Sequence, residues 1–206
     1  MNYFLMWLSG LGTMAGLIVA VGPQNTFLLR QGLISPKRVI AALVAFCALA
    51  DIAFIALGVA GMGALIASLP WLILVIRYAG ALFIGWFGVQ AVRRALRSEA
   101  LIVADTESGG TESFKKLMLT AAGFTFLNPG VYIDTVMLIG GIANQHEYPW
   151  LWASGAMFAS VAWFIGIAFG ARALRPLFAK PLTWRIFDWL VAAIMFAVAI
   201  GLLLGG

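Results

Sequence analysis

The sequence predicts an all-α integral membrane protein: six transmembrane helices forming two inverted three-helix repeats, the first and fourth helices interrupted. Three observations carry that prediction. Of 206 residues, 63% are hydrophobic and only 10% charged, too little polar surface to cover a soluble globule. The charges fall in short clusters between long apolar runs. Two of those runs are broken where a proline meets a carboxamide side chain, at Val21-Gly22-Pro23-Gln24-Asn25 and at Asn128-Pro129-Gly130. Interrupted hydrophobic segments in corresponding halves point to a midplane binding site.

The spans cover residues 4–29, 39–67, 71–92, 117–143, 150–171 and 186–204. At about 1.5 Å per residue each crosses a core of about 30 Å, the last only just. The first lacks a basic leader and runs without charge to Leu29, longer than the apolar region of a signal peptide, so it is expected to remain as a span. The second carries Asp51, the third Arg77 and the fourth Asp134. Basic residues mark the odd-numbered connectors: Arg30, Lys37 and Arg38 in the first, Arg93, Arg94, Arg97, Lys115 and Lys116 in the third, and Arg172, Arg175, Lys180 and Arg185 in the fifth. The second and fourth connectors hold no Lys or Arg. The positive-inside rule therefore places the odd-numbered loops in the cytoplasm and both termini outside.

A polar stretch, 98–113, reads as a cytoplasmic linker between a first three-helix repeat, 1–97, and a second, 114–206, within one membrane domain. Three spans on each side make the halves enter the membrane from opposite faces. Pro23 maps near Pro129, Gly58 near Gly166 and Arg77 on Arg185, at an offset of about 106 to 108 residues. Gly10, Gly12, Gly16, Gly58, Gly61, Gly63, Gly166 and Gly170 would let helices pack closely. Trp7, Trp71, Trp150, Trp152, Trp184 and Trp189 lie near span ends, where an aromatic belt is expected.

Composition also limits function. The single cysteine, Cys47, excludes a disulfide framework or a cysteine metal site within one chain. The net charge of +5 belongs to the loops, so it reads as topology and not as nucleic-acid binding. No HExxH, Walker loop or GxSxG occurs, and no nucleophile, metal site or cofactor site is expected.

The chemistry is expected at the breaks. In Asn128-Pro129-Gly130 a residue without an amide hydrogen precedes the weakest helix former after it, so a helix must kink or break there. Lipid cannot satisfy the backbone groups that are freed, which therefore face protein or a water-filled cavity. An ionised Asp at the centre of a span costs about 2.5 to 3.5 kcal/mol on insertion scales, and a cost of that size marks Asp51 and Asp134 as candidates. Asp51 is either held by hydroxyls, paired with Arg77, or engaged with substrate and protons. Two intramembrane carboxylates with one nearby cation candidate leave negative charge for a cationic substrate or a proton to neutralise. Mutual exclusion of the two is what antiport requires. Asn25 and Asn128 suit the ammonium or carboxylate of a zwitterion, and Gln24 and Tyr132 are further candidates, each as readily a packed polar tip.

The run GPQNTFLLRQGL at 22–33, the Asp51 run ending in GVAG, and FTFLNPGVYIDTVMLIGG at 124–141 together resemble the LysE family of amino-acid exporters, most closely its lysine/arginine branch. The resemblance implies export of L-lysine, L-arginine or a close basic analogue across a bacterial inner membrane, driven by the proton motive force. Its partners would be a basic amino acid, protons and membrane lipid, with a homo-oligomer and a monomer equally served by the glycine faces. It places Asp51 and Asp134 on the family's acidic positions and Asn25, Asn128 and Pro129 on its motif positions. Relatives often carry His or Asn where this chain has Gly130. A neutral amino-acid exporter on the same scaffold, or a channel or assembly subunit, are the competing expectations.

Overall fold

The computed structural model describes residues 2–19, 22–96 and 113–204; the expected linker, apart from Ser113, lies outside them. The described residues are helical wherever they have regular structure. Helix α1 (Tyr3–Ile18) starts on Asn2, whose side-chain oxygen accepts the Phe4 amide at 3.2 Å, satisfying one orphan donor of the first turn. Helix α2 (Pro23–Ile34) begins afresh on Pro23, at a position where the missing amide costs no hydrogen bond. The Thr26 amide and hydroxyl both donate to the Gly22 carbonyl, at 3.0 and 2.9 Å. Gly22-Pro23 is thus a helix start inside an apolar run, and α1 and α2 meet at 84°.

Helix α3 (Lys37–Val59) stops earlier than the 39–67 span expected from hydropathy. Gly61 takes φ +90, a left-handed conformation that glycine adopts without a Cβ penalty. A short helix, α4 (Met62–Ala67), follows the turn. Helix α5 (Pro70–Ala95) again opens on proline. Helix α6 (Phe114–Phe126) and helix α7 (Val131–Ala143) are bent by 56° across the Asn128-Pro129-Gly130 break. Most of α7, Val131–Ile139, is π-helical, a wide winding common at functional sites. Helix α8 (Pro149–Gly170) runs into a 3₁₀ turn, Ala171–Leu174. Helix α9 (Pro181–Leu204) starts five residues before the expected sixth span, so Arg185 lies in a helix and not in a connector. Among the described residues four helices, or helix-plus-turn segments, are long and apolar enough to cross a membrane alone, and the two bent pairs bring the number to as many as six.

Helix α1 packs along α8, and α5 along α9, while α3 lies against both α8 and α7. A Cβ on Gly10 would collide with the Trp152 carbonyl, and one on Gly155 with the Trp7 carbonyl, so the α1 and α8 backbones touch. Gly58 meets the Val136 carbonyl and Gly140 in the same way, and Gly63 lies over Met137. Gly12, Gly16, Gly166 and Gly170 face open space, contrary to the packing role expected of them, and Gly61 serves a turn. Trp71 and Trp150 are exposed at helix starts, as the belt expectation has them, while Trp189, also exposed, lies two turns inside α9 because that helix starts earlier than expected. Trp152 departs from the belt expectation: it is fully buried, donates to Ser9 Oγ at 3.3 Å and stacks on His146.

Contacts at helix ends sort the connectors into two sets. At one end the Tyr3 ring meets Tyr148 at 5.4 Å, and Arg77, near the start of α5, donates to the Leu202 and Leu203 carbonyls of α9. At the other, Asp188 Oδ1 accepts from Arg30 of α2 at 2.8 Å and Arg94 of α5 at 3.0 Å, and Arg175 reaches the Ser35 carbonyl. The start of α1, the 144–148 connector and the end of α9 therefore lie opposite the 35–36 and 171–180 connectors.

Candidate functional site

Buried polar side chains gather near the two breaks and the middle of α3, Asn25, Thr26, Thr125 and Asp51 among them. Asp51 is 5% exposed, and Ser160 of α8 donates to its Oδ2 at 2.7 Å. Among the described residues it makes no ion pair, since Arg77, weighed as its partner, is engaged with the end of α9. One turn before Asp51 on the same face, buried Cys47 contacts the side chains of Gln24 and Thr125. A thiol is a weak hydrogen-bonding group, and beyond it Gln24 Nε2 and Thr125 Oγ1 are both buried without a hydrogen-bond partner among the described residues.

Asn25 and Asn128 are used to hold the breaks. Asn25 Nδ2 donates to the Ile18 carbonyl at 2.9 Å, and its Oδ1 accepts from Trp163 Nε1 at 3.2 Å. One carboxamide thus ties the end of α1 to α2 and to α8. Asn128 Oδ1 accepts the Gly130 amide at 3.0 Å, a local turn bond typical of the residue. The Tyr132 hydroxyl donates to the Phe126 carbonyl at 3.0 Å, capping a group freed at the end of α6. Pro129 is buried between them.

Asp134 sits in the first turn of the π-helical segment and, unlike Asp51, is exposed. A Cβ on Gly130 would lie 3.1 Å from Asn128 Oδ1 and 3.5 Å from Asp134 Oδ2, so a side chain at 130 would touch both. The expected residues therefore fall into two groups: Gln24 and Asp51 with Cys47, Thr125 and Ser160 around α3, and Asn128, Gly130, Tyr132 and Asp134 at the second break. The Tyr132 ring, 5.4 Å from Phe54 one turn beyond Asp51, joins α7 to α3.

Sequence reasoning passes over Thr125, Ser160 and Asp188. Asp188 lies at the start of the expected sixth span, three residues after Arg185, and so carries a weaker signal than mid-span Asp51, whereas Ser160 carries none. A groove of about 540 Å³ between α1 and α8, lined by Leu11, Ala15, Ile18, Phe158 and Trp163 among others, is apolar and offers a zwitterion no partner.

Apolar helices, two pairs of them bent at a break, packed around a buried carboxylate that meets no cation among the described residues define a multi-pass membrane protein. The chain belongs to the LysE type translocator family, which it matches over residues 15–206. It is 43% identical to a protein of Mycobacterium tuberculosis (strain H37Rv) provisionally named an amino-acid transporter, over 91% of each chain. It is 34% identical to the arginine exporter protein ArgO of Yersinia enterocolitica over 94% of each chain. It is 31% identical to the lysine exporter LysE of Corynebacterium efficiens over 98% of this chain and 99% of that one. No solved structure matches it.

Proposed function

We propose that the protein exports basic L-amino acids, lysine or arginine, across a bacterial inner membrane in exchange for protons, with Asp51 and Asp134 as the sites that a substrate cation or a proton occupies. The observation that carries this reading is Asp51: a carboxylate buried in the α3–α8 contact, bonded to one hydroxyl and to no cation among the described residues. Its charge needs a counterpart, and either a proton or a cationic substrate supplies one. The names of the arginine and lysine exporters among its relatives support the basic substrate.

Physics supplies the reason for coupling. An inside-negative potential retains a monovalent cation by about 2.3 kcal/mol per 100 mV, so a passive pore would favour uptake. Exchange for one proton is electroneutral and driven by the pH gradient.

Two inverted repeats are the architecture that supports such exchange by swapping conformations. Two crossings favour it here. Gly32 of α2 abuts the Ala168 carbonyl of α8, and Gly140 of α7, 108 positions later, abuts Gly58 of α3. Each broken arm thus crosses a long helix of the other half. The basic connectors at one end make that end cytoplasmic and place both termini outside.

Proteoliposomes loaded with arginine test the reading: efflux should accelerate with an inwardly directed proton gradient. Equal efflux with the gradient collapsed removes the coupling, and uphill movement of a neutral amino acid in place of arginine and lysine removes the basic substrate. A channel subunit would move no solute uphill.

A further inference from the structure

The asparagines at the two breaks look suited to a zwitterion by sequence, yet the structure employs them as splints. Asn25 has both side-chain polar atoms bonded to protein, and Asn128 Oδ1 closes its own turn. Gln24 Nε2 and Thr125 Oγ1, by contrast, are buried and, apart from the weak Cys47 thiol on which both side chains converge, have no partner among the described residues. Thr125 is 0% exposed. A buried polar atom left unpaired is costly, so a cluster of two calls for a ligand that completes it.

The chemistry of those atoms selects the ligand. An amide nitrogen only donates, so Gln24 Nε2 cannot serve an ammonium or a guanidinium, which are themselves donors. It fits an acceptor, and an ionised carboxylate is acceptor-only. The hydroxyl of Thr125 can donate to the same group. Cys47 and Asp51 are four residues apart on α3, a separation of about 5 to 6 Å between neighbouring side chains on one helix face. That spacing suits the two charged groups on the α-carbon of an amino acid.

We propose that Gln24 and Thr125 hold the α-carboxylate of the exported amino acid while Asp51 takes its α-ammonium, the asparagines acting only to hold the helix breaks. The inference rests on the amino-acid export reading and specifies which side chains recognise the substrate's head group. The side-chain cation of lysine or arginine is then left to a second group, and Asp134 is the intramembrane acid available for it.

Binding of L-arginine and of agmatine, its decarboxylated counterpart, to the purified full chain tests the assignment. Wild type should prefer arginine. Gln24→Met and Thr125→Val should each weaken arginine binding by about tenfold or more, the loss of a hydrogen bond to a charged group, and leave agmatine binding unchanged. Thr125→Ser keeps the hydroxyl and should keep the preference. Because each apolar variant removes an unpartnered buried atom, the melting temperature without ligand should stay level or rise, whereas a purely structural role predicts a fall. Equal loss for both ligands, unaltered arginine binding in either folded apolar variant, or no preference in wild type overturns the assignment and leaves a water-filled polar cluster. Failure of the export reading has a different signature. If wild type binds a neutral amino acid and neither arginine nor lysine, the basic-substrate reading falls, and the same ratio measured with that amino acid and its own amine decides the carboxylate site. If no amino acid binds, both fall together.

Discussion

Asp51 and Ser160 form the most consequential pair in the interior because the hydroxyl is the carboxylate's one hydrogen-bond partner among the described residues. Asp51→Asn keeps the shape and the hydrogen bond but removes the charge, and should abolish arginine export while the variant still folds. Radiolabelled efflux alongside a thermal melt checks this, and export at the wild-type rate would dismiss Asp51 as a coupling site. Ser160→Ala leaves the acid without its partner and should cost about 1 to 3 kcal/mol of stability, the penalty of an unsatisfied buried group. That loss should shrink when Ser160→Ala is combined with Asp51→Asn, because a neutral amide is less costly to leave unsatisfied. Additive losses in the double variant would mean that the pair does not act together.

At the scale of elements, the bent helices are held at two kinds of joint. One is steric. Gly58 lies so close to the Val136 carbonyl that any side chain would separate α3 from α7. Gly58→Ala should destabilise by about 1 to 3 kcal/mol, as overpacking does. Gly12→Ala and Gly16→Ala, where nothing lies nearby, should be neutral or gain about 0.5 to 1 kcal/mol from helix propensity. Melting temperatures of the three variants distinguish these outcomes, and a neutral Gly58→Ala would mean that the joint is loose. The other joint is electrostatic: Asp188 of α9 gathers Arg30 of α2 and Arg94 of α5, and Arg30 also lies over the Trp184 ring at 5.5 Å. Removing one partner of a buried pair leaves an uncompensated charge. Both guanidiniums keep some exposure, 21% and 28%, so Asp188→Asn should cost about 3 kcal/mol, the low end for such a break. A melt that is unchanged would show that solvent already screens the cluster.

For the whole molecule, the sorting of connectors into two ends makes the topology testable. In a Cys47→Ser background, Glu147→Cys should react with an impermeant maleimide in intact cells, and Lys115→Cys only after permeabilisation. The reverse pattern would invert the orientation read from the basic loops, and labelling of both from outside would eliminate a span. The same arrangement shows what the apolar exterior is for. Leu49, Leu82 and Leu204 point outward at 65%, 76% and 84% exposure, a surface suited to lipid tails and to no aqueous phase.

Much of this was legible residue by residue. That the chain crosses a membrane, where it breaks, and which acids are out of place all follow from the sequence, because partitioning into lipid and the loss of a helical hydrogen bond at proline are local energies carried by each segment alone. The exact ends of α3 and α9 were less so, since a glycine at φ +90 or an early proline start overrides a smooth hydropathy profile. The division of labour inside the site was decided only by tertiary structure. Asn25 and Gln24 are adjacent in the chain and chemically alike, yet one is bonded to the Ile18 carbonyl and Trp163 while the other keeps a buried nitrogen unpaired beside Cys47. Whether a polar atom is already satisfied depends on partners such as Trp163, 138 residues from Asn25, that only the tertiary fold brings near, and no local pattern encodes them.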